Sequence, residues 1–196
     1  YCGHGSMQGW GNGAALNITN VNALVNDYML PFIQSVACNV GEFQSGTCFA
    51  EAWLRATDNS TGDPTGAIAF YGSTISQSWN PPMRAQDHAI DLLVGWNYST
   101  NQEIDQKFSL GGLWFNGSCN MMDVYPGGGE NEFRHWTIFG DASLNVRTDT
   151  PEVMSVTHPP TLFIGVNSFA VNTGVEETLV CLSYNNQILG SGYTDA

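Results

Sequence analysis

The chain has 196 residues, of which 42% are hydrophobic and only 12% charged, and its formal net charge is −13. The apolar content is that of a globular protein rather than a disordered one. The acidity argues against nucleic acid and anionic membranes as partners. No apolar run approaches the ~20 residues that cross a membrane as a helix, so no transmembrane segment is predicted.

Two polar, glycine-bearing turns stand out in the N-terminal part of the chain. Residues 1–6 have the pattern of the end of a strand, and His4 lies at that end. Residues 32–38 form a nearly unbroken run of apolar residues, as expected of a buried strand, and Cys38 lies at its end. Between them, apolar residues recur at helical spacing: Ile18, Val21, Leu24, Val25 and Tyr28. This order predicts a βαβ crossover, which places His4 and Cys38 at the same edge of a parallel sheet.

Further strands and helices are predicted up to residue 149. A helix with Phe49 and Trp53 on its buried face is expected to begin at Ser45 or Thr47 as the cap. Another helix is expected to start near Pro82; its inward residues are predicted to be Met83, Ile90, Leu93 and Val94. The remaining predictions are a strand at 66–71, strand or helix pieces at 111–116 and 118–124, and loops at 9–13 and 126–130.

The five cysteines do not predict a disulfide scaffold or a zinc site. Their number is odd, and no two of them have the C-x-x-C spacing of a metal or redox site. Cys2, Cys48 and Cys119 lie among apolar or small residues and are predicted to be buried thiols.

The pattern of apolar and turn-forming residues changes at residues 149–151. Beyond this point, short alternating segments separated by Gly, Pro and Asn turns predict strands at 153–157, 168–171, 179–184 and 187–189. About four strands fit, whereas an immunoglobulin-like sandwich needs about seven. We therefore predict an α/β domain at 1–149 and the beginning of a β-sandwich at 150–196. Since Tyr1 is not a start methionine and enters directly at a strand end, the chain is expected to be an internal piece of a longer one.

Six motifs follow one another in a fixed order. They are Tyr1–Ser6, Val36–Asn39, Cys48–Ala52, Ser73–Trp79, Pro82–Asp87 and Trp136–Leu144. In these motifs and their spacing, the chain closely resembles the gingipain-type cysteine peptidases over nearly its whole length. Each motif alone is weak evidence, but the ordered series is strong.

The resemblance implies a fold for both parts of the chain. Residues 1–149 would be the C-terminal portion of a caspase-like catalytic domain, a three-layer α/β/α fold with a mostly parallel sheet. Residues 150–196 would be the beginning of an immunoglobulin-like β-sandwich domain.

The resemblance also implies roles for individual residues. Cys38 would be the nucleophile, which needs thiolate character, and His4 would hold its proton and pass it to the leaving amine. The backbone N–H groups of Gly5 and Cys38 would form the oxyanion hole. Trp79 and Met83 match positions that line the pocket for a basic substrate side chain.

Other groups implied by the resemblance lie outside these residues. The acid that orients the histidine and the acid of the substrate pocket come from upstream of His4 in the family. The N-terminal remainder of the same precursor is therefore an expected partner. The chemistry requires no cofactor. Structural calcium is implied by the family and suits the acidity, but the sequence nominates no ligands, so the metal site is unknown.

Each residue also has a plainer interpretation. A single Cys at a strand end is usually a core residue, and a single His between glycines is often only a turn residue. Their pairing within the ordered motifs favours catalysis. Trp79 and Met83 are equally well explained as ordinary packing between loop and helix.

Three functions follow in order of preference. The first is a cysteine endopeptidase, secreted or at the bacterial cell surface, that cleaves proteins or peptides after basic residues, with Arg favoured. The second is a sortase-like transpeptidase of bacterial surface secretion, in which an amine replaces water. The third is a non-catalytic surface adhesin or assembly domain, against which the intact His4 and Cys38 count.

Overall fold

A computed structural model describes residues 1–13, 15–148, 150, 153–176 and 178–195. The chain divides into two compact units, Tyr1–Val146 and Arg147–Ala196. The predicted boundary between residues 149 and 150 falls close to this division, although Asp149, Pro151 and Glu152 lie outside the described residues. The assignment of the two parts to a catalytic domain and an immunoglobulin-like domain stays a prediction.

The first unit combines short strands with helices. Its strands are β1 (His4–Ser6), β2 (Gly9–Gly11), β3 (Leu16–Asn17), β4 (Phe32–Ser35), β5 (Ala69–Ser73), β6 (Trp96–Asn97), β7 (Gln102–Glu103) and β8 (Trp136–Phe139). Its helices are α1 (Ile18–Val21), α2 (Phe49–Arg55), α3 (Asn80–Val94), α4 (Leu110–Val124) and α5 (Pro126–His135), with a 3-10 turn at Phe43–Ser45. The predicted α/β class is therefore confirmed.

The central sheet of this unit has the order β4-β5-β8. Strands β4 and β5 are parallel, and β5 and β8 are antiparallel. On the other side of β4, Cys2 forms a parallel bridge with Val36, supported by hydrogen bonds from Gly3 N to Val36 O (3.0 Å) and from Val36 N to Tyr1 O (2.8 Å). The sheet is thus mixed, and the predicted parallel alignment of residues 1–3 with the strand before Cys38 is confirmed.

Alternate residues of the central strands face two separate cores. Ile33 and Phe70 belong to a buried cluster that contains Phe49 and Trp53 of α2. The neighbouring residues Ala69 and Tyr71 belong to a second cluster; its other members include Ala89, Leu92, Leu113, Trp114 and Trp136. Because successive side chains of a strand point to opposite faces, α2 packs on one face of the sheet, and α3 and α4 pack on the other.

The connection between residue 6 and β4 differs from the prediction. Gly9–Gly11 is a strand rather than a loop, and it pairs with both β1 and β3. The helix predicted to run to Tyr28 is the single turn α1, and Val25 and Tyr28 are exposed. The side-chain amide of Asn26 instead makes two hydrogen bonds with the Gly66 backbone. Gly66 N–H donates to Asn26 Oδ1 at 3.0 Å, and Asn26 Nδ2 donates to Gly66 O at 3.0 Å. These tertiary hydrogen bonds hold the segment as a loop in place of a second helical turn.

The predicted helices at 49–56 and from Pro82 are present, with corrections. Helix α2 is capped at Cys48 rather than at Ser45 or Thr47, and the Cys48 N–H donates to the Glu51 carboxylate at 2.8 Å. Helix α3 has prolines in its first turn, where the missing N–H groups cost little. Its buried residues are Pro81, Pro82, Ala85, Ala89, Asp91 and Leu92, whereas Ile90 and Val94 are exposed.

Near the end of the first unit, the pieces predicted as strand or helix at 111–116 and 118–124 are helical, and both are parts of the single helix α4. The loop predicted at 126–130 was wrong, because these residues are the first half of α5. Gly129 explains this error, since a Cβ there would lie 2.7 Å from Met121 O. Glycine at this position permits close contact with α4 and does not mark a turn.

The described residues of the second unit contain two regular strands. Strands β9 (Leu179–Tyr184) and β10 (Gln187–Tyr193) form an antiparallel hairpin. Asn185 and Asn186 both have positive φ, 48° and 62°, as a two-residue hairpin turn of type I′ requires. The predicted strands at 153–157 and 168–171 are absent from the described residues. Thr157 forms an isolated bridge with Asn172, just beyond the second segment, and the described residues of this unit form no β-sandwich.

No helix in the described ranges of the chain is both long enough and apolar enough to span a membrane.

Candidate active site

Cys38 lies in the turn that follows β4. Its side chain is partly buried, and its thiol donates a long, weak hydrogen bond to the Gln77 carbonyl at 3.8 Å. The next residue, Asn39, has a φ of 59°. Asn39 is the kind of residue that tolerates this left-handed conformation. Its N–H donates to Ile75 O at 2.9 Å, so the turn is fixed against the segment after β5.

His4 lies at the start of β1 and is exposed. The parallel bridge between Cys2 and Val36 sets the register of the two segments, so His4 and Cys38, each two residues further on, lie at the same level and the same edge. The next residue confirms the proximity, because a Cβ built on Gly5 would lie 2.9 Å from Cys38 O and 2.8 Å from the Ala37 Cβ. A side chain there would collide with the turn that carries Cys38.

Both residues contact the segment Ser73–Trp79, which we call the 73–79 loop. The Cys38 thiol bonds to its Gln77 carbonyl. The His4 imidazole lies edge-on to the Trp79 indole, with ring centroids 5.4 Å apart and planes at 84°. In the described part of the chain, the His4 imidazole makes no hydrogen bond, so the indole is the contact that limits its orientation. The structure therefore brings His4, Gly5, Cys38 and Trp79 together.

The 73–79 loop is fixed to the turn after β4. Gly41 N donates to Ser73 O at 2.9 Å, and the Ser76 hydroxyl donates to Asn39 Oδ1 at 3.0 Å. The Asn39 amide nitrogen in turn donates to the Glu42 carboxylate at 2.8 Å. These bonds couple the position of the loop to that of Cys38.

The side chain of Met83 packs against a core cluster, unlike the side chains of His4, Cys38 and Trp79. This residue lies in the first turns of α3, where its N–H donates to Trp79 O at 3.1 Å, and its side chain packs against the cluster that contains Ala89 and Leu92. This is the packing role that the sequence left open beside substrate binding. Trp79 is 45% exposed, so its indole is available to a ligand.

The other cysteines differ in exposure. Cys2 and Cys181 are exposed and Cys119 is partly buried, so the prediction of buried thiols holds for Cys48 but is wrong for Cys2. Burial raises the pKa of the Cys48 thiol to about 11, which keeps it protonated at neutral pH. Cys48 is therefore a structural residue.

Within the described ranges, no group of three or more His, Cys, Asp or Glu side chains has the arrangement of a metal site. The calcium implied by the family stays a prediction without ligands.

Sequence reasoning missed two participants of the site. Gln77 contacts Cys38 through its backbone carbonyl, and a backbone contact leaves no signal in residue type. Glu132 binds the 73–79 loop from α5, where a glycine-rich stretch predicted a loop.

Comparison with known proteins identifies relatives of the whole chain. Residues 1–147 match the model of Peptidase family C25. Gingipain R2 of Porphyromonas gingivalis is 38% identical over 192 residues, which are 97% of this chain and 25% of that protein. Gingipain R1 of the same organism is 38% identical over 196 residues, which are 100% of this chain and 19% of that protein. The chain thus spans a quarter or less of these relatives.

The solved structures agree. The crystal structure of the Arg-specific cysteine proteinase gingipain R has 39% sequence identity and a TM-score of 0.87, and the match covers 100% of this chain and 44% of that one. The complex of the Porphyromonas gingivalis RgpB pro- and mature domains has 37% identity and a TM-score of 0.86 over the same shares of the two chains. Since the family model covers three quarters of the sequence, this chain belongs to peptidase family C25.

Proposed function

We propose that the protein is a cysteine endopeptidase whose nucleophile is Cys38 and whose general acid and base is His4. The observation that carries the proposal is their common position: adjacent parallel segments bring both to one sheet edge, and one loop contacts both side chains. The carboxyl ends of parallel strands are where reacting groups collect in α/β folds. Membership of a peptidase family adds the reaction class.

The proposed reaction proceeds through an acyl-enzyme. The Cys38 thiolate attacks the scissile carbonyl carbon, and the carbonyl oxygen takes the negative charge. The N–H groups of Gly5 and Cys38 are proposed to stabilise that oxyanion, and the close approach at Gly5 leaves room for no side chain. His4 donates its proton to the leaving amine as the C–N bond breaks.

The second half restores the enzyme. His4 takes a proton from water, the hydroxide oxygen attacks the thioester carbon, and the Cys38 thiolate leaves with the C–S electron pair. No metal or other cofactor enters these steps.

The same proposal includes the three-layer caspase-like arrangement, a secreted or cell-surface location, structural calcium and pairing with an N-terminal part of the precursor. The helices on both faces of the sheet and the gingipain relatives support this proposal.

Cleavage after arginine is the proposed specificity. The similar gingipain R is described as Arg-specific, and the exposed indole of Trp79 beside His4 offers the face that a guanidinium stacks on. The formal charge of −13 also attracts cationic substrates.

The test is a set of peptides that differ only at the residue before the scissile bond. With the full-length protein we expect kcat/KM for Arg to exceed that for Leu by about 100-fold or more, since one buried charge pair supplies several kcal/mol of discrimination. Equal cleavage after Arg and Leu would overturn the specificity.

The same assay separates hydrolysis from transfer. With an added amine nucleophile, a peptidase yields mainly the free acid, whereas a transpeptidase yields mainly the new amide. A predominance of amide product would favour the sortase-like alternative over the endopeptidase.

A further inference from the structure

Glu132 is a buried carboxylate that the proposed mechanism does not use. It lies in α5 and is only 3% exposed. Its Oε1 accepts two hydrogen bonds from Ser78, from the backbone N–H at 2.9 Å and from the hydroxyl at 2.7 Å. Its Oε2 is buried and has no hydrogen-bond partner among the described residues. A buried carboxyl group with an unsatisfied oxygen is costly, so its presence needs a reason other than stability.

The place of Ser78 in the chain supplies that reason. On one side is Gln77, whose carbonyl accepts the hydrogen bond of the Cys38 thiol. On the other side is Trp79, whose indole contacts the His4 ring. Any displacement of Ser78 therefore moves the contacts of both proposed catalytic residues at once.

Helix α5 holds the 73–79 loop at two points. At the start of the loop, the Thr74 N–H and hydroxyl both donate to His135 O, at 2.8 Å and 2.9 Å. At its end, Ser78 is bound by Glu132. Residues 132 and 135 lie on one side of the helix, because residues three apart on a helix are neighbours. Without the carboxylate, Ser78 loses the hydrogen bonds that join the end of the loop to α5.

We propose that Glu132 is a positioning residue of this site: by accepting both hydrogen bonds of Ser78, it fixes the Gln77 carbonyl against the Cys38 thiol and the Trp79 indole against the His4 imidazole. The inference rests on the proposed peptidase function. A carboxyl group suits the task because one of its oxygens can accept both hydrogen bonds of Ser78. Fixing a loop in this way matters, since a displacement of about 1 Å in an active site can cost about 100-fold in rate.

The test compares Glu132→Ala and Glu132→Gln in the full-length protein. Glu130→Gln is the matched control, because Glu130 lies on the same helix but is exposed and paired with Arg134. The measured quantity is kcat/KM for an arginyl peptide, divided by the fraction of active sites that an irreversible thiol inhibitor titrates. That correction removes any loss that comes only from unfolded protein.

Glu132→Ala is expected to lower the corrected kcat/KM by about 10- to 100-fold. Glu132→Gln is expected to recover most of it, to within about threefold of wild type, because its carbonyl oxygen still accepts both bonds from Ser78. Glu130→Gln is expected to match wild type. Rescue by Gln distinguishes positioning by hydrogen bonds from a need for the charge itself.

An active wild type together with an unchanged Glu132→Ala variant would overturn this inference alone. So would a Gln variant as impaired as the Ala variant. If Glu132→Ala does not fold, Ser78→Ala replaces it, since that change removes only the hydroxyl donor; it is expected to lower the corrected kcat/KM, and wild-type activity would overturn the inference. Absence of any Cys38-dependent cleavage by the wild type would overturn the proposed function and this inference with it.

Discussion

Replacement of Cys38 by alanine is expected to abolish peptide cleavage by the full-length protein. The acyl-enzyme cannot form without the sulfur, and no other described side chain replaces it beside the Gln77 carbonyl. Loss of the nucleophile from a covalent peptidase typically costs about 10⁴-fold or more in kcat. The measurement is the initial rate of cleavage of an arginyl peptide.

Cys119→Ala is the matched control for this substitution. Cys119 is also a partly buried free thiol, but it lies in α4 and not in the turn after β4. Its replacement is expected to leave the rate unchanged. Undiminished cleavage by Cys38→Ala would contradict the proposed nucleophile.

Replacement of His4 by alanine is expected to lower kcat by about 10²- to 10⁴-fold, the usual contribution of general acid–base catalysis. The imidazole provides the proton for the leaving amine and accepts the proton of water, so both halves of the reaction slow. The measurement is kcat for an arginyl peptide.

His158→Ala is the control for His4→Ala. His158 is exposed and lies in the second unit, where its ring bonds to Pro159 O. We expect wild-type kinetics for it. A His4→Ala variant with the same kcat as His158→Ala would contradict the assigned role.

The common position of His4 and Cys38 was predictable from the sequence because it depends on local signals. An unbroken apolar strand that ends in a polar turn identifies a buried strand end. Two such ends separated by a connecting segment predict parallel neighbours, and the bridge between Cys2 and Val36 confirms that alignment. The predicted parallel alignment is correct although the segment between the two strands is not the predicted helix. The register depends on the strands and not on whether that segment is helical.

The parts that could not be predicted depend on tertiary contacts. The turn of α1 ends at Val21 because Asn26 finds hydrogen bonds at Gly66, 40 residues away in the sequence. The first half of α5 contains three glycines, which favour turns in isolation. The third of them, Gly129, lies close to Met121 of α4, and that contact is invisible in the local sequence.

The second unit shows the same division between local and distant causes. The hairpin at 179–193 was predictable because Asn185-Asn186 is a turn signal between two alternating segments. The segments at 153–157 and 168–171 have similar alternation, but their described residues form no strand, and Thr157 makes one isolated bridge, to Asn172. Strands of this kind need partners to pair with, and sequence pattern alone does not supply them.

The most direct test of the catalytic pair is to map where an arginyl peptide with a thiol-reactive electrophile at its C-terminus attaches to the native full-length protein. We predict a single adduct on Cys38, formed slowly or not at all in His4→Ala. Cys2 and Cys181 should remain unmodified although they are more exposed, and Cys48 should remain unmodified because burial raises its pKa to about 11. Adducts distributed over Cys2 and Cys181 according to exposure, with Cys38 unmodified, would contradict the assignment of the active site.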